Sequence, residues 1–532
     1  MTAGREPGSA LPALALAAPA LLVRLGQAPL QRAEIYFLDA ARAMAERGDW
    51  LLPTFRGEPF FDKPPLAYWQ FAGAFAVFGP ELLAARLLSV AWALAAILLT
   101  WRLGQRLFNG RTAGTAALVL ATTPGFLTMS RLAMADMPLT ALCLGAVLLG
   151  VRAAAAPVPA TAPLVACGAL LGLAFLTKGP VALLFVLPPL LALSPRLARP
   201  RPALTVATTS LLVASPWFGW LALERGVGPL LHFFWRENVA RFTGAAYASN
   251  RGLFFYLGVY FSLGLPWALL LPLGLRRLAD SPAAARIAAS VVLMALPLSL
   301  SRGKIEYYLL PLYPWLALLV ARGLTALIWD EVARRVARIA CLLVAVGAVA
   351  LGTVALRLPP PWAPPAALAA LLGLAALASV ALLVHAAWRG DPTAVRTAMA
   401  GSVGLLAPAL IASFLGPIWV VRPQSQLVAR IASEVARAPG TRVVACHDAA
   451  HVERALLFEH RLVVEHDCAL AAVIRHGPPA LLVLHDDDLA GLRGEGGLEV
   501  LEQVPFLPPR AFQQALRGEA ATPLTVTLAR VR

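Results

Sequence analysis

Residues 31–69 read QRAEIYFLDAARAMAERGDWLLPTFRGEPFFDKPPLAYW and form the only long polar segment in a first half otherwise made of apolar runs. The segment lies between an apolar N-terminal run and the next one near residue 82, which predicts that it sits at one membrane surface. Loops longer than about 12 to 15 residues are usually functional or disordered. Because this one is rich in apolar and aromatic residues, disorder is disfavoured. We therefore expect it to form the catalytic face.

The composition predicts a polytopic α-helical membrane protein. It is 59% hydrophobic and only 14% charged, with repeated apolar runs of about 20 residues, the length that crosses a bilayer core. We count about thirteen such runs. They fall near 9–25, 82–101, 112–129, 138–155, 160–176, 179–194, 203–223, 253–275, 285–300, 306–324, 336–356, 364–388 and 398–420. The fifth and sixth are separated only by Thr177-Lys178-Gly179, so they form either a helical hairpin or one broken helix.

The net charge of +16 reflects membrane topology rather than nucleic-acid binding, because the arginines are scattered between apolar runs and form no basic stripe. Alternate short loops carry most of them, and the positive-inside rule places those loops in the cytoplasm. With an odd number of spans, the N-terminus is then cytoplasmic. The outer catalytic loops 26–81 and 224–252 and everything after residue 420 are predicted to lie outside.

Local patterns predict the structure of the outer segments. Apolar residues at helical spacing over 34–47 indicate an amphipathic interfacial helix, followed by Gly- and Pro-rich turns and a second interfacial helix at 66–78. In RLAMADMPLT (131–140), Asp136 with Pro138 indicates a helix start, with Asp136 at or near the N-cap and Pro138 in the first turn. A functional carboxylate at the membrane edge is the alternative role for Asp136.

Basic residues gather on the predicted outer side, against the positive-inside trend. Each alone is typical of an interfacial anchor, but together they suit a phosphate site at the outer leaflet. They are Lys63, Arg131, Lys178, Arg236, Arg241 and Lys304.

The last part of the chain changes character. We divide the chain into a transmembrane domain, 1–420, and a soluble domain, 421–532. In the second, helices and strands alternate from residue 424 onward, which predicts a small α/β extracytoplasmic domain with a mostly parallel sheet. Cys446 and Cys468 both lie there, and a disulfide between them is one of the possibilities for an oxidising compartment.

Five motifs then carry a family resemblance. In order they are residues 33–69 of the opening segment, RLAMADMPLT, LAFLTKGPVALL (173–184), PWFGWL (216–221) with HFFWRENVARF (232–242), and SRGKIEYYLLPLYPWLALL (301–319). This pattern over roughly residues 10–420 resembles the superfamily of lipid A aminoarabinose transferases and protein O-mannosyltransferases, and is most like the bacterial aminoarabinose branch. The resemblance implies a GT-C fold and a polyprenyl-phosphate-linked sugar donor.

The resemblance also implies site residues, with three departures. Relatives usually carry Asp-Glu where this chain has Ala33-Glu34, so the catalytic carboxylate is predicted to be Glu34 first and Asp136 second. Asp62 replaces a Glu and Asn238 replaces a frequent His, which weakens a metal site at Asp62 for Zn or Mg. Predicted donor-phosphate ligands are Lys63, Lys178, Arg241 and Lys304, and predicted substrate-pocket residues are Tyr308, Trp69, Arg131 and Arg236.

The function implied is transfer of a sugar from the lipid-phosphate donor to a lipid A-like or other extracytoplasmic acceptor, as in lipopolysaccharide modification. A protein or glycan O-glycosyltransferase of the same fold is the first alternative. A flippase or transporter of lipid-linked sugar is the alternative from another class, but transporters usually show internal repeats, and none is clear in this sequence. The sequence predicts neither the sugar nor the oligomeric state.

Overall fold

The computed structural model describes residues 8–28, 30–246, 249, 251–326, 329–357, 364–414, 421–446, 450–476, 479–485, 488–489, 492, 498–506 and 524–531. Contacts divide the chain into two units. The first comprises Met1–Leu25, Ala40–Val349 and Ala375–Pro408, and the second comprises Gly26–Asp39, Ala350–Leu374 and Ala409–Arg532. The predicted domain boundary at residue 420 stays a prediction, because residues 415–420 lie outside the described ranges.

Helices make up almost all of the chain before the C-terminal region. In chain order they are α1 (Leu11–Leu22), α2 (Arg32–Arg47), α3 (Leu66–Phe78), α4 (Leu82–Leu107), α5 (Gly110–Ala121), α6 (Pro124–Ser130), α7 (Asp136–Ala153), α8 (Thr161–Lys178), α9 (Val181–Leu193), α10 (Pro200–Arg225), α11 (Gly228–Leu231), α12 (Arg241–Thr243), α13 (Phe255–Leu263), α14 (Leu271–Leu275), α15 (Pro282–Leu300), α16 (Tyr313–Leu324), α17 (Glu331–Arg357), α18 (Ala366–Arg389) and α19 (Pro392–Phe414). A π-helical stretch, His232–Ala240, joins α11 to α12, and a 3₁₀ turn, Glu306–Leu312, precedes α16.

Eight of the described helices are long and apolar enough to cross a membrane, or up to ten if each of two bent helix pairs counts as one span. The bends are 64° between α5 and α6 and 109° between α13 and the helical segment Trp267–Leu275, which contains α14. Helices α1 and α9 are apolar but shorter. Each of the thirteen apolar runs contains helix, while the count of thirteen spans stays a prediction.

The opening polar segment folds as predicted. Helix α2 covers the amphipathic stretch, a short hairpin of β1 (Thr54–Phe55) and β2 (Glu58–Pro59) follows, and α3 is the second apolar helix. Gly57 has a φ of +87°, which favours glycine and allows the tight hairpin turn. The turn residues thus separate the two helices at the position where the sequence places its glycines and prolines.

Helix α7 is the most buried of the spans within the first unit, with 78% of its apolar window inside the protein. It packs against α4, α8 and α9. The predicted break between the fifth and sixth apolar runs is real, because α8 ends at Lys178 and α9 begins at Val181. Gly179 between them has a φ of +75°, and an added Cβ would lie 2.3 Å from Cζ of Phe233.

The second unit contains the α/β domain. After α20 (Val421–Arg437), the elements are β3 (Arg442–Ala445), α21 (Ala450–His460), β4 (Val464–His466), α22 (Leu470–His476), β5 (Ala480–Leu484), β6 (Leu498–Phe506) and β7 (Leu524–Val531). The sheet order is β4-β3-β5-β7-β6. The expectation of a mostly parallel sheet is only half right, because β4, β3 and β5 are parallel whereas β7 pairs antiparallel with both β5 and β6.

Alternating side chains of the central strands build two cores, one on each face of the sheet. Val443 and Leu481 pack with α20 and α21, whereas Val444 and Leu482 pack with α22. Cys446 and Cys468 form a disulfide with a Cα–Cα distance of 4.4 Å, which confirms the pairing that the sequence left open.

Candidate active site

A cavity of about 290 Å³ in the first unit collects five of the predicted site residues. Its walls come from the start of α7, the α8–α9 connection, the π-helical stretch and the turn before α16. The five predicted residues that line it are Lys63, Asp136, Lys178, Arg241 and Tyr308. These residues are far apart in the sequence and meet here, beside apolar walls that include Phe185 and Leu298.

Glu237 links two of the cations. Its Oε2 atom accepts hydrogen bonds from Nζ of Lys63 at 3.0 Å and from Nη2 of Arg241 at 2.7 Å. Only 1% of the Glu237 side chain is exposed. Burial raises the pKa of this carboxyl, but Lys63 and Arg241 outweigh burial and hold the pKa below its usual value. Nη1 of Arg241 also donates to the hydroxyl of Tyr308 at 3.3 Å.

Asp136 and Lys178 form the second charged pair, with Nζ to Oδ1 at 2.5 Å. The Lys178 ammonium also lies 4.8 Å from the ring centre of Tyr308 and 5.4 Å from that of Tyr307. Asp136 is the first residue of α7, and Pro138 lies in the same first turn, as the sequence predicts. The helix-start interpretation is thus confirmed to within one residue, because the N-cap is Ala135. The Asp136 carboxylate also pairs with Lys178 at the cavity wall.

A group of possible metal ligands lies beside the first pair. A carboxylate oxygen from each of Asp62 and Glu237 and a ring nitrogen of His232 all lie within 4.8 Å of one another. Nε2 of His232 is 3.0 Å from Oδ1 of Asp62. The second oxygen of Glu237, Oε1, is buried and has no hydrogen-bond partner within the described part of the chain, which leaves it open to a cation.

Glu34, the first choice for the catalytic carboxylate, belongs to the second unit. It is fully buried on the first turn of α2. Its Oε2 accepts a hydrogen bond from the backbone N–H of Gln31 at 2.9 Å, the reciprocal half of a capping box. This hydrogen bond gives Glu34 a structural role at the start of α2. Its catalytic role stays a prediction.

Two further predicted residues, Lys304 and Trp69, do not line the cavity. Lys304 is buried and donates from Nζ to the carbonyl of Ser301, which does line the cavity. Trp69 donates from its indole N–H to the carbonyl of Trp50 and packs in the cluster around Trp217. The predicted roles of Lys304 in donor-phosphate binding and of Trp69 in the substrate pocket stay predictions.

Two further predicted residues, Arg131 and Arg236, lie in different environments. Arg131 donates to the carbonyls of Ala20, Leu21 and Val23 at 2.6 to 2.9 Å, where it satisfies the C-terminal end of α1. Arg236 is exposed on the π-helical stretch. The cavity lining includes neither, and their predicted substrate-pocket roles stay predictions.

Glu237 and His232 were not among the predicted site residues. The spacing of Glu237 and Arg241, four apart in a helical stretch, is the signal that could have found the first, because such residues share a helix face. His232 has no comparable signal, since its pairing with Asp62 depends on a loop 170 residues away.

Comparisons with known proteins agree with the resemblance read from the motifs. Residues 62–220 match the family model described as dolichyl-phosphate-mannose-protein mannosyltransferase. An undecaprenyl phosphate-alpha-4-amino-4-deoxy-L-arabinose arabinosyl transferase of Pseudomonas aeruginosa UCBPP-PA14 is 33% identical over 323 residues, which is 55% of each chain. The match thus spans about half the length of this curated relative.

Solved structures extend the likeness to nearly the whole chain. ArnT from Cupriavidus metallidurans, bound to undecaprenyl phosphate, matches with a TM-score of 0.70 and 20% identity over 97% of both chains. The apo form matches with a TM-score of 0.71 and 21% identity over 98% of this chain and 97% of that one. The chain therefore has the same fold, which confirms the expected helical membrane architecture with a small C-terminal α/β region.

Proposed function

We propose that this protein is an integral membrane glycosyltransferase that moves a sugar from a polyprenyl-phosphate donor to an extracytoplasmic acceptor. The observation that carries the proposal is the cavity in which Lys63, Arg241 and Tyr308 stand together beside the Asp136–Lys178 pair. A lipid phosphate needs cationic and hydroxyl donors at the edge of an apolar space. The sequence likeness to an arabinosyl transferase and the fold shared with an undecaprenyl-phosphate-bound transferase support the same donor.

The substrate class follows from the same relatives. The curated relative acts with undecaprenyl phosphate-alpha-4-amino-4-deoxy-L-arabinose, so the proposed sugar is an aminoarabinose or a close pentose. The proposed acceptor is a lipid A-like glycolipid. Because residues 62–220 match a protein mannosyltransferase family, a protein or glycan hydroxyl is the alternative acceptor.

The proposed reaction is a substitution at the anomeric carbon of the donor sugar. An acceptor oxygen forms a bond to C1 of the sugar while the bond from C1 to the lipid-phosphate oxygen breaks. The phosphate leaves with the electron pair, and Lys63, Arg241 and Tyr308 are placed to stabilise its charge. An acceptor hydroxyl gives its proton to a carboxylate, either Asp136 in the cavity or Glu34 by resemblance, whereas an ionised acceptor phosphate has no proton to give.

We also propose a divalent metal at Asp62, His232 and Glu237. One imidazole nitrogen with two carboxylates suits Zn²⁺, while Mg²⁺ prefers oxygen ligands alone. A bound cation would supply further electrostatic stabilisation of phosphate charge there. Without it, His232 orients Asp62, and Glu237 keeps Lys63 and Arg241 extended into the cavity.

The proposed location is a bacterial inner membrane, crossed several times, with a cytoplasmic N-terminus. Short loops rich in arginine support this orientation. On this topology the cavity and the C-terminal α/β domain face the periplasm. The Cys446–Cys468 disulfide fits that compartment, because disulfides persist in oxidising environments.

The test is a transfer assay with the purified chain in lipid nanodiscs. Labelled undecaprenyl-phosphate aminoarabinose is supplied with lipid A, and wild type is compared with Lys63→Ala, Asp136→Asn and Glu34→Gln. We expect Lys63→Ala and at least one carboxylate variant to lose about 100-fold or more in rate, in the range of lost electrostatic or acid–base catalysis. Glu58→Gln, an exposed change in the hairpin, is the matched control and should keep full rate.

Three outcomes would contradict the proposal. Full activity in all three variants would remove the site assignment. Translocation of the labelled lipid without transfer would indicate a flippase. Labelling of added protein or glycan acceptors in preference to lipid A would favour the alternative acceptor.

A further inference from the structure

A second charged cavity lies at the other end of α7. Its volume is about 650 Å³, and it is lined by Arg102, Gln105, Arg106, Leu148 and Arg152. The first three come from the last turns of α4, and the other two from the last turns of α7. The transfer chemistry proposed above uses none of them.

Helical spacing explains why the arginines converge. Arg102 and Arg106 are four residues apart, as are Leu148 and Arg152, so each pair shares one face of its helix. Because α4 and α7 pack together, the two faces meet. The guanidinium of Arg102 also lies 4.7 Å from the ring centre of Trp101, which limits where its side chain can point.

The cavity contains cations without counterions. Arg102, Arg106 and Arg152 are exposed, and none forms an ion pair with any residue that the structure describes. The lining includes no carboxylate. Elsewhere in the first unit, arginines near helix ends do find acidic partners, as Arg276 and Arg277 do at Asp330. Three guanidiniums facing one space therefore favour an anion from outside the chain.

The cavity also lies where a lipid headgroup would be. Both α4 and α7 are apolar enough to cross a membrane, and the arginines stand in their final turns. Arg152 follows Asp136 by sixteen positions on one helix, which is about 24 Å at 1.5 Å per residue. The two cavities are thus separated by nearly the thickness of a bilayer core.

We propose that this basic cavity binds the phosphate headgroup of an anionic phospholipid in the leaflet opposite the candidate active site. Guanidiniums bind phosphate oxygens in a forked geometry, and Gln105 adds an amide donor. Basic pockets between membrane helices are suited to anionic headgroups. Leu148 gives the cavity an apolar side for the start of an acyl chain, which a free phosphate ion would not need.

The experiment measures lipid binding to the full-length protein by native mass spectrometry. Phosphatidylglycerol and phosphatidylcholine with identical acyl chains are titrated separately into the protein in a neutral detergent. The test variant is the triple Arg102→Gln, Arg106→Gln, Arg152→Gln. The control triple, Arg199→Gln, Arg201→Gln, Arg286→Gln, removes the same charge from exposed arginines outside this cavity.

We expect wild type to prefer phosphatidylglycerol, and the test triple to lose about 100-fold in affinity for it. Three basic residues at roughly 1 kcal/mol each correspond to about two decades at 1.4 kcal/mol per tenfold. The control triple should stay within about twofold of wild type. If the test triple does not remain monodisperse, the three single variants replace it, each with an expected loss of about fivefold.

Other results would overturn the proposal. Equal binding of the two lipids would mean that the headgroup charge is not recognised. An equal loss in the control triple would mean that general positive charge attracts the lipid. Displacement of phosphatidylglycerol by millimolar inorganic phosphate would make the ligand a soluble anion rather than a lipid.

Discussion

The carboxylate of Asp136 lies 2.5 Å from the ammonium of Lys178, and the two side chains are only 5% and 12% exposed. Asp136 starts α7 and Lys178 ends α8, so one ion pair joins the two helices at the wall of the candidate active site. A pair buried this deeply is costly to break on one side, because little solvent reaches the charge that remains.

This pair allows stability and catalysis to be separated. Asp136→Asn or Lys178→Gln alone should lower the free energy of unfolding by about 3 kcal/mol, because each leaves one buried charge. The double variant should regain most of that stability but no transfer activity if Asp136 acts on substrate. Thermal unfolding in detergent and initial rates of transfer measure the two effects. Recovery of activity in the double variant would assign Asp136 a structural role only.

Glu237 gives a prediction for acid pH. Its pKa is held below the usual value by Lys63 and Arg241, so its contribution to stability is complete above the unfolded pKa near 4.5 and is lost as pH falls through the lower folded pKa. We expect Glu237→Gln to be less stable than wild type by about 3 kcal/mol at pH 7. The difference in free energy of unfolding between wild type and this variant should decrease only below about pH 4.5. Thermal unfolding between pH 7 and pH 3.5 measures this difference. A decrease between pH 7 and pH 5 would contradict this assignment.

The proposed metal ligands predict a stoichiometry. Protein purified with added Zn²⁺ should retain about one ion per chain, and Asp62→Ala or His232→Ala should lower retention about 10-fold or more, since each removes one of few ligands. Elemental analysis after gel filtration measures the metal independently of activity. His385→Ala, an exposed histidine on α18, is the control. Equal retention in all three variants would show that the ion binds elsewhere.

Within the second unit, Arg461 contacts α2 at Asp39, near the middle of the helix. Its Nη1 donates to Oδ1 of Asp39 at 2.7 Å, and the Asp39 side chain is 2% exposed. Arg461→Ala should cost about 1 to 2 kcal/mol, because the arginine is itself a third exposed. Hydrogen exchange of residues 30–39 should rise as α2 loses this contact.

The exchanged pair is the control for Arg461. Asp39→Arg with Arg461→Asp should bring exchange part of the way back to wild type, because the attraction is restored with altered geometry. Single reversals should be worse than Arg461→Ala, since they place like charges together. Unchanged exchange in every variant would mean that the contact does not order α2.

Sequence patterns were sufficient for the elements of the opening segment. The 3.6-residue spacing of α2, the glycines and prolines of the hairpin and the apolar run of α3 are all local signals, and each element forms where its signal stands. The C-terminal sheet was harder. β6 and β7 are recognisable as strands, but their antiparallel pairing depends on partners distant in sequence.

The residues of the candidate active site were also only partly predictable from the sequence. Lys63, Lys178 and Arg241 could be selected because cations are unusual on the predicted outer side. The carboxylate that each of these cations contacts could not be predicted from the sequence, because these contacts depend on how the helices pack. Glu237 therefore went unselected although it contacts two of the chosen cations.

The position of the π-helical stretch that carries Glu237 depends on residue 179 being a glycine. The ring of Phe233 occupies the space that a side chain at residue 179 would need. Phe233 precedes Glu237 by one helical turn. Any larger residue would act as a wedge between the α8–α9 connection and the π-helical stretch. The shape of this cavity wall is thus set as much by the absence of a side chain at residue 179 as by the charged side chains along it.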